Sequence, residues 1–203
     1  MAFNITFDKN HKTKNLAVKL NAKGEQFVVK GHPWVFSNSI VKINDNAQTG
    51  DLAIIFSKNK NKVIGFGLYD ADSPIRIKVI HNAETKIEVN AVFFKQKIEM
   101  AFEKRSALLK TNTNSYRLLF GENDGFPGLI ADVYDSVLVV KLYSEIWLPY
   151  LESILESLQQ ISNAKTMVMR LSRNLQNSNN HTFTDGQVIF GTLIDNVVEF
   201  IEH

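Results

Sequence analysis

Polar and apolar residues alternate along several short segments of the first 80 positions, and this pattern predicts a β-rich amino-terminal part. Leu16, Val18 and Leu20 follow a period of two, which is typical of a half-buried strand. Two mostly apolar segments, 52–56 and 63–69, flank a polar and basic stretch and predict a hairpin. Short strands at this spacing, separated by Gly and Pro turns, indicate a small β-barrel or sandwich.

Further along the chain, the apolar spacing changes to that of helices. Residues 90–110 keep apolar side chains at intervals of three and four, and Asn90 is suited to cap this helix at its start. A second helix is predicted at 147–160, with strands on either side of it at 137–142 and 165–170. Strands arranged around a helix in this order predict a compact α/β unit.

The stretch 116–134 lies between two apolar runs and is rich in turn residues, so we expect a strand, a tight turn and a second strand. It carries three carboxylates, Glu122, Asp124 and Asp132. Grouped carboxylates can serve as general acids and bases or as metal ligands. The simpler interpretation is that Asp124 shapes the turn and that Asp132 faces solvent.

The composition excludes several kinds of chemistry. The chain has no cysteine, which excludes disulfides, thiolate metal sites and cysteine nucleophiles within it. Neither a signal-like start nor a long apolar run is visible in the sequence, so we expect a cytoplasmic protein that does not enter a membrane.

Charge is distributed unevenly along the chain. Residues 1–82 have a net charge of +6 and residues 83–203 a net charge of −4. A basic front half predicts a domain that faces a polyanion. Within it, Arg76 and Lys78 are expected on one face of a strand, where they could contact phosphates, although a solvated edge would show the same pattern.

Three segments together resemble one known family. The segments 116–134, 30–40 and 73–79 are similar to motifs of the PUA-containing ribosomal RNA cytosine-5 methyltransferases. The resemblance implies an α+β fold with a PUA-like RNA-binding β-barrel at 1–82, a linking helix at 83–112 and a small central α/β domain at 113–203. It also implies that the Rossmann-type methyltransferase domain of that family is absent from this chain, whose last residues, 197–203, resemble the lead-in to it.

The same resemblance implies a function. We expect the RNA-binding and substrate-orienting amino-terminal fragment of a SAM-dependent ribosomal RNA (cytosine-5) methyltransferase. Attack at carbon 6 of cytosine needs a nucleophile such as a thiolate, and the sequence contains neither a cysteine nor a glycine-rich strand-to-helix turn. The chain alone is therefore expected to be inactive, with no catalytic, metal-binding or cofactor-binding residue of its own, and S-adenosylmethionine is expected in the full-length parent.

The predicted site residues fall into two groups. The first, expected to bind RNA, consists of Lys30, His32, Trp34, Arg76 and Lys78. His32 and Trp34 could stack on bases, whereas the alternative is that Trp34 is a core residue and His32 is satisfied locally. Just before them, residues 27–30 could form a strand or a short helical turn. The second group, expected to line a cleft, consists of Arg117, Glu122, Asp124 and Asp132.

The sequence leaves three alternatives open. The chain could be a stand-alone RNA-binding module without an enzymatic parent. It could be a hydrolase or metal enzyme built on the three carboxylates of the 116–134 stretch. It could also be an oligomerisation unit, because a sheet edge of the α/β domain could pair with a second copy to form a homodimer. Ribosomal RNA is the partner that we expect.

Overall fold

The computed structural model describes residues 2–7, 12–44, 46–58, 62–82, 87–192, 199 and 201, so most of the 197–203 segment lies outside the described residues. The chain divides into two compact units, one formed by Lys9–Glu88 and the other by Met1–Asp8 together with Val89–His203. In sequence, the first unit is therefore an insertion in the second. The predicted division into three functional domains stays a prediction.

The Lys9–Glu88 unit is built on one mixed sheet. Its described elements are β1 (Asn15–Leu20), α1 (Ala22–Val29), β2 (Trp34–Val35), β3 (Ile40–Lys42), β4 (Leu52–Phe56), β5 (Val63–Tyr69) and β6 (Ile77–His81). The strand order is β2-β6-β5-β4-β1-β3, with β1 and β4 parallel and the other neighbours antiparallel. The predicted hairpin is confirmed as β4 and β5.

The core of this unit follows from the alternation in β1. Leu16, Val18 and Leu20 are buried, as predicted, and belong to one apolar cluster with Val28 of α1 and Ile77 of β6. Burial of one face of β1 against the helix fixes the register of the strand, because a shift by one residue would turn all three side chains outward.

The strand order corrects the prediction of a β-barrel. Among the described strands, β2 and β3 form the two ends of a six-stranded sheet, and no pairing joins them. The parallel pairing of β1 with β4 brings together strands that are more than 30 positions apart. Alternation within a strand reports which face is buried, but it does not report which distant strand lies beside it.

The second unit is an α/β unit with a five-stranded sheet. Its described helices and strands are α2 (Ala91–Glu103), β7 (Ser115–Phe120), β8 (Leu129–Tyr134), β9 (Val137–Leu142), α3 (Leu151–Ser162), β10 (Thr166–Leu171), α4 (Arg173–Gln176) and β11 (Gln187–Phe190). The strand order is β11-β10-β9-β8-β7, and only β9 and β10 are parallel among these pairs. Over the described parts of the chain, no helix is long and apolar enough to cross a membrane.

The helix predicted as a linker contributes buried residues to the core of this unit. The Asn90 cap is confirmed, since its side-chain oxygen accepts the N–H of Phe93 at 3.1 Å. Phe94, Ile98 and Ala101 of α2 are buried. The ring of Phe94 lies 6.1 Å from that of Trp147, centre to centre. The apolar face of α2 thus packs within the unit.

The turn between β7 and β8 is stabilised by a hydrogen bond from a buried side chain of the same unit. Gly125 and Gly128 have φ values of +73° and +72°, a left-handed conformation that glycine adopts without strain. The indole Nε1–H of the fully buried Trp147 donates to the carbonyl oxygen of Pro127 at 2.8 Å. The tight turn predicted for this stretch is therefore confirmed.

The amino-terminal segment closes onto the far edge of the same sheet. The backbone N–H of Asn4 donates to the carbonyl oxygen of Ile189 at 2.8 Å, and its side-chain amide donates to that of Gly191 at 2.9 Å. Phe3 packs edge-on against Phe190. Residues at the two ends of the chain thus belong to one unit.

Candidate nucleic-acid interface

Three rings lie side by side on the surface of the Lys9–Glu88 unit, and we call Phe27, His32 and Trp34 the ring cluster. Their centres are 5.5 Å apart for Phe27 and His32 and 5.9 Å apart for His32 and Trp34. Phe27 is 42% exposed, and the other two are half-buried. The ammonium of Lys23 lies 5.8 Å from the centre of the Phe27 ring, and Lys30 is exposed nearby in sequence.

Local hydrogen bonds hold the backbone of the ring cluster and orient the His32 ring. The backbone N–H of Trp34 donates to Nδ1 of His32 at 3.2 Å, and the backbone N–H of His32 donates to the carbonyl oxygen of Phe27 at 2.9 Å. The interpretation of His32 as locally satisfied is confirmed. Trp34, however, is not a fully buried core residue. The cluster therefore offers aromatic surface that is held in place before any ligand arrives.

The other two predicted RNA-binding residues are engaged within the protein. Lys78 is buried, and its Nζ lies 2.5 Å from Oδ2 of Asp70. Arg76 is half-buried and donates from Nη1 to the carbonyl oxygens of Asp70, at 3.1 Å, and Ala71. Strand pairing places Lys78 directly opposite Trp34. A phosphate contact by Lys78 would have to compete with its ion pair to Asp70.

Phe27 and Lys23 are not among the predicted site residues, because the sequence leaves residues 27–30 open between a strand and a helical turn. The signal was present in the sequence. Asn21 caps the helix by accepting the N–H of Gly24 at 2.8 Å, and an Asn before apolar residues at helical spacing is a start signal. Lys23 and Phe27 are four positions apart, so a helix places them on one face.

A second concave surface lies in the α/β unit. It is an open hollow of about 400 Å³ lined by Ser115, Tyr116, Arg117, Phe120, Asp132 and Tyr134. Arg117 donates from Nε and Nη2 to the two carboxylate oxygens of Asp132, at 2.8 and 3.2 Å. These hydrogen bonds raise the pKa of Arg117, and burial raises the pKa of the Tyr116 phenol. The hollow thus presents a fixed guanidinium–carboxylate pair and a neutral phenol.

Asp124 lies outside this hollow and has a structural role. Its buried carboxylate accepts the N–H of Phe120 at 2.8 Å and is hydrogen-bonded to Arg105 and Lys104. Burial alone would raise the pKa of Asp124, but the hydrogen bonds from Arg105, Phe120 and Lys104 outweigh it and hold the pKa below its usual value. The interpretation of Asp124 as the residue that shapes the turn is confirmed.

The structure therefore separates the predicted cleft residues. Arg117 and Asp132 line the hollow, whereas Asp124 and Glu122 are not part of its lining. No group of three or more His, Cys, Asp or Glu side chains that could hold a metal ion occurs in the described residues. The alternative of a metal enzyme built on these carboxylates gains no support from this arrangement.

Comparison with known proteins relates the chain to RNA-modifying enzymes. Residues 18–82 match the family model of a PUA-like domain. A ribosomal RNA large subunit methyltransferase from Deinococcus radiodurans is 34% identical over 193 residues, which are 92% of this chain and 47% of that protein. A ribosomal RNA large subunit methyltransferase I from Escherichia coli is 33% identical over 61% of this chain and 31% of its own length. The chain thus spans about half the length, or less, of these relatives, and the comparisons give no support to a homodimer.

Two solved structures are similar in fold to this chain. A protein assigned as a SAM-dependent methyltransferase from Streptococcus mutans matches 88% of this chain, over 44% of its own length, with a TM-score of 0.71 and 15% identity. A second protein assigned as a methyltransferase, solved in complex with SAH, matches 80% of this chain, over 41% of its own length, with a TM-score of 0.66 and 17% identity.

These matches correct two expectations. The predicted fold class set the chain apart from the methyltransferase fold, but 88% and 80% of the chain match the folds of two solved structures assigned as methyltransferases. The expectation that no cofactor belongs to this chain is overturned by the same finding, since one of those proteins was solved with SAH.

The described residues do not, however, fit a nucleoside cofactor at the expected position. Such ligands bind beyond the carboxyl ends of parallel strands, which here are β9 and β10. No glycine follows either strand before its helix. After β9, the hydroxyl of Ser144 accepts the N–H of Ile146, and the carboxylate of Glu145 accepts hydrogen bonds from Ser178 and Asn180. We assign none of these residues to the cofactor.

Proposed function

We propose that this chain is the RNA-binding and substrate-orienting part of a SAM-dependent large-subunit ribosomal RNA methyltransferase that acts on carbon 5 of cytosine. The observation that carries the proposal is the ring cluster, which lies within the region that matches PUA-like domains. The relationship to large-subunit ribosomal RNA methyltransferases over 92% of the chain supports the reaction and the substrate class.

The ring cluster has the properties that RNA recognition requires. Unpaired bases stack on aromatic side chains, and each stacked base contributes about 1–3 kcal/mol. The ring of Phe27 and the half-buried indole of Trp34 offer such surfaces, and the exposed Lys30 and Lys23 provide cations for the phosphates. The net charge of +6 on residues 1–82 would attract the polyanion over a longer range.

The residues of this chain would hold the substrate rather than attack it. Methylation at carbon 5 requires a nucleophile that adds to carbon 6, and thiolates perform this step because they are strongly nucleophilic near neutral pH. The sequence has no cysteine, so the proposed role of its residues is to bind the RNA and to orient the target base.

Binding by the 203-residue chain to a labelled single-stranded segment of large-subunit ribosomal RNA tests the proposal. Trp34→Ala is expected to weaken binding about fivefold or more, because one stacking surface is lost. Lys30→Glu is expected to make binding less dependent on salt, with the slope of log K against log salt smaller by about 1. Lys110→Glu, an exposed lysine of the other unit, is the charge control. Equal affinity of all three variants and the wild type would contradict the proposal.

The reaction itself is tested in cells. Deleting the gene is expected to remove one 5-methylcytidine from large-subunit ribosomal RNA, as measured by mass spectrometry of digested RNA. Restoring the wild-type gene should restore the mark, and the Trp34→Ala gene should restore it less completely at low expression. Ribosomal RNA with an unchanged set of methylated cytidines in the deletion strain would refute the proposed reaction.

A further inference from the structure

The sheet of the α/β unit has two unlike faces. On one face the side chains are fully buried, among them Leu118, Ala131, Val140, Met167 and Met169. Along β8 the residues between the buried ones are half-buried and point to the opposite face, because successive side chains of a strand alternate. We call this second face the outer face, and it includes the hollow between β7 and β8.

Cross-strand pairing brings aromatic and basic residues together on the outer face. Phe120 of β7 lies directly opposite Ile130 of β8, and Ile130 lies directly opposite Lys141 of β9. Directly opposite residues share a face of the sheet. In the neighbouring row, Arg117 lies opposite Asp132.

Two exposed rings on this face each have a cation above them. The guanidinium carbon of Arg117 lies 5.2 Å from the centre of the Phe120 ring, and the ammonium of Lys141 lies 5.0 Å from that of Tyr143. Phe120 is 49% exposed and Tyr143 is 46% exposed. We call these four residues the outer patch. Nearly half of each of these two residues is exposed, so aromatic surface is available to a ligand.

We infer that the outer patch binds single-stranded RNA, with bases stacked on Phe120 and Tyr143 and a phosphate held by Lys141, while Arg117 stays paired with Asp132 and supports the Phe120 ring. This inference rests on the proposed function and adds a second RNA contact on the other unit. Stacking rings interleaved with cations are what binding of single strands requires. Lys141 forms no ion pair with a described residue, and its charge acts at longer range on Asp185, whose carboxylate is bonded to Arg170.

The spacing of the rings favours a single strand over a duplex. Phe120 lies on β7 and Tyr143 directly follows β9, and β8 lies between these strands, so the two ring-bearing residues are at least about 10 Å apart, given a strand spacing of about 4.8 Å. Bases in a duplex follow one another at about 3.4 Å and stack on each other. Two bases on these two rings would have to be splayed apart, which is the state in which proteins read RNA bases.

Charge favours RNA over an apolar protein partner. The row that contains Lys141 continues to Arg170 on β10, so three cations lie along the outer face. Two carboxylates, Asp132 and Asp185, pair with Arg117 and Arg170, which leaves a surplus of one positive charge. The core of a protein–protein interface is typically depleted of charged residues.

The experiment compares matched variants of the full chain. Phe120→Leu with Tyr143→Leu keeps apolar side chains but removes both stacking surfaces, whereas Phe120→Tyr with Tyr143→Phe keeps them. Binding of a labelled single strand of about ten nucleotides is expected to weaken at least tenfold in the first double variant and less than twofold in the second. Lys141→Glu should reduce the salt slope by about 1, and Lys110→Glu should not. Unchanged unfolding midpoints confirm that the variants are folded.

A second readout locates the contact. Ultraviolet crosslinking of the single strand to the wild-type chain, followed by mass spectrometry, should yield crosslinked peptides that contain Phe120 or Tyr143. A blunt duplex of the same sequence should give few of them.

The outcomes distinguish the two proposals. If the leucine double variant binds like the wild type while Trp34→Ala weakens binding, the outer patch is not an RNA surface, although the proposed function stands. If the wild-type chain binds no RNA, both proposals fail. If the leucine variant changes only the sedimentation of the chain, the patch is a contact between copies and the inference is overturned.

Discussion

Arg105 and Asp124 are 19 residues apart in sequence and form a bidentate ion pair. Nη2 of Arg105 lies 2.5 Å from Oδ2 of Asp124, and Nη1 lies 3.1 Å from Oδ1. Their side chains are only 13% and 3% exposed. Arg105 also donates from Nε to the carbonyl oxygen of Arg117 at 3.0 Å. One guanidinium thus ties the end of α2 to the turn after β7 and to the strand that carries part of the outer patch.

Replacement of Arg105 by Met is expected to lower the free energy of unfolding by about 3 kcal/mol. The reason is that removing one partner leaves the carboxylate of Asp124 buried without its principal counter-ion. Denaturation in urea, followed by circular dichroism, measures the change.

The control for this prediction is Arg170→Met, which breaks an exposed ion pair with Asp185. Exposed pairs contribute about 0–1 kcal/mol, so this variant should be nearly as stable as the wild type. Equal losses in the two variants would show that burial does not set the strength of these pairs.

The stability of the α/β unit is expected to depend on the charge of Asp124. The pKa of its carboxyl is lowered in the folded chain from an ordinary value of 3.8. Such a group contributes its full stabilisation above the ordinary pKa, and the contribution is lost as the pH falls through the lower pKa of the folded state. Asp124→Asn lacks this titration. The difference in free energy of unfolding between wild type and variant should therefore shrink as the pH is lowered from about 6 to about 2. A difference that stays constant would contradict the assignment.

Gly67 is expected to tolerate no side chain. A Cβ at this position would lie 2.5 Å from Cγ2 of Ile77 and 2.7 Å from the carbonyl oxygen of Lys78. Gly67→Ala should therefore cost about 1–3 kcal/mol in thermal or chemical unfolding, the usual cost of overpacking. Gly65→Ala is the matched comparison, because its nearest contact would be 3.2 Å from a Val28 methyl group, and it should cost less. The reverse order would contradict the packing described for β5 and β6.

The two tryptophans should report RNA binding differently. Trp34 is half-buried in the ring cluster, whereas Trp147 is fully buried in the core of the other unit. Because stacking on a base changes the emission of an indole only when the ring is in contact with the base, RNA should quench Trp34. Trp147→Phe should keep the quenching and Trp34→Phe should abolish it. Quenching that survives in Trp34→Phe would place the RNA away from the ring cluster.

Local elements of this fold could be predicted from the sequence because their causes are local. The alternation of β1, the cap at Asn90 and the turn around Gly125 depend on residues only a few positions apart. These features were all confirmed. The relationship to ribosomal RNA methyltransferases was also visible in the motifs, although the fold class derived from it needed correction.

The sequence could not predict which charged side chains are buried or ion-paired, because this depends on contacts made by the whole fold. Lys78 has the alternating position of a solvent-facing residue, but β6 is buried on both faces and Asp70 neutralises the ammonium. For Asp124 the sequence allows both a cleft-lining and a turn-shaping role, and only its ion pair with Arg105 decides between them. The outer patch was missed for the same reason, since only strand pairing brings Phe120 and Lys141 onto one surface.

The hydrogen bonds between Asn4 and the far edge of the sheet have a consequence for biosynthesis. The partner residue Gly191 leaves the ribosome 187 residues later, which takes roughly 10–40 s at 5–20 residues per second. During that interval the Lys9–Glu88 unit can complete its own sheet, because all six of its described strands lie before residue 82. During that interval the amino-terminal segment of the α/β unit cannot form its hydrogen bonds to the far edge of the sheet. We expect nascent chains to acquire protease resistance in the inserted unit first and in the surrounding one last.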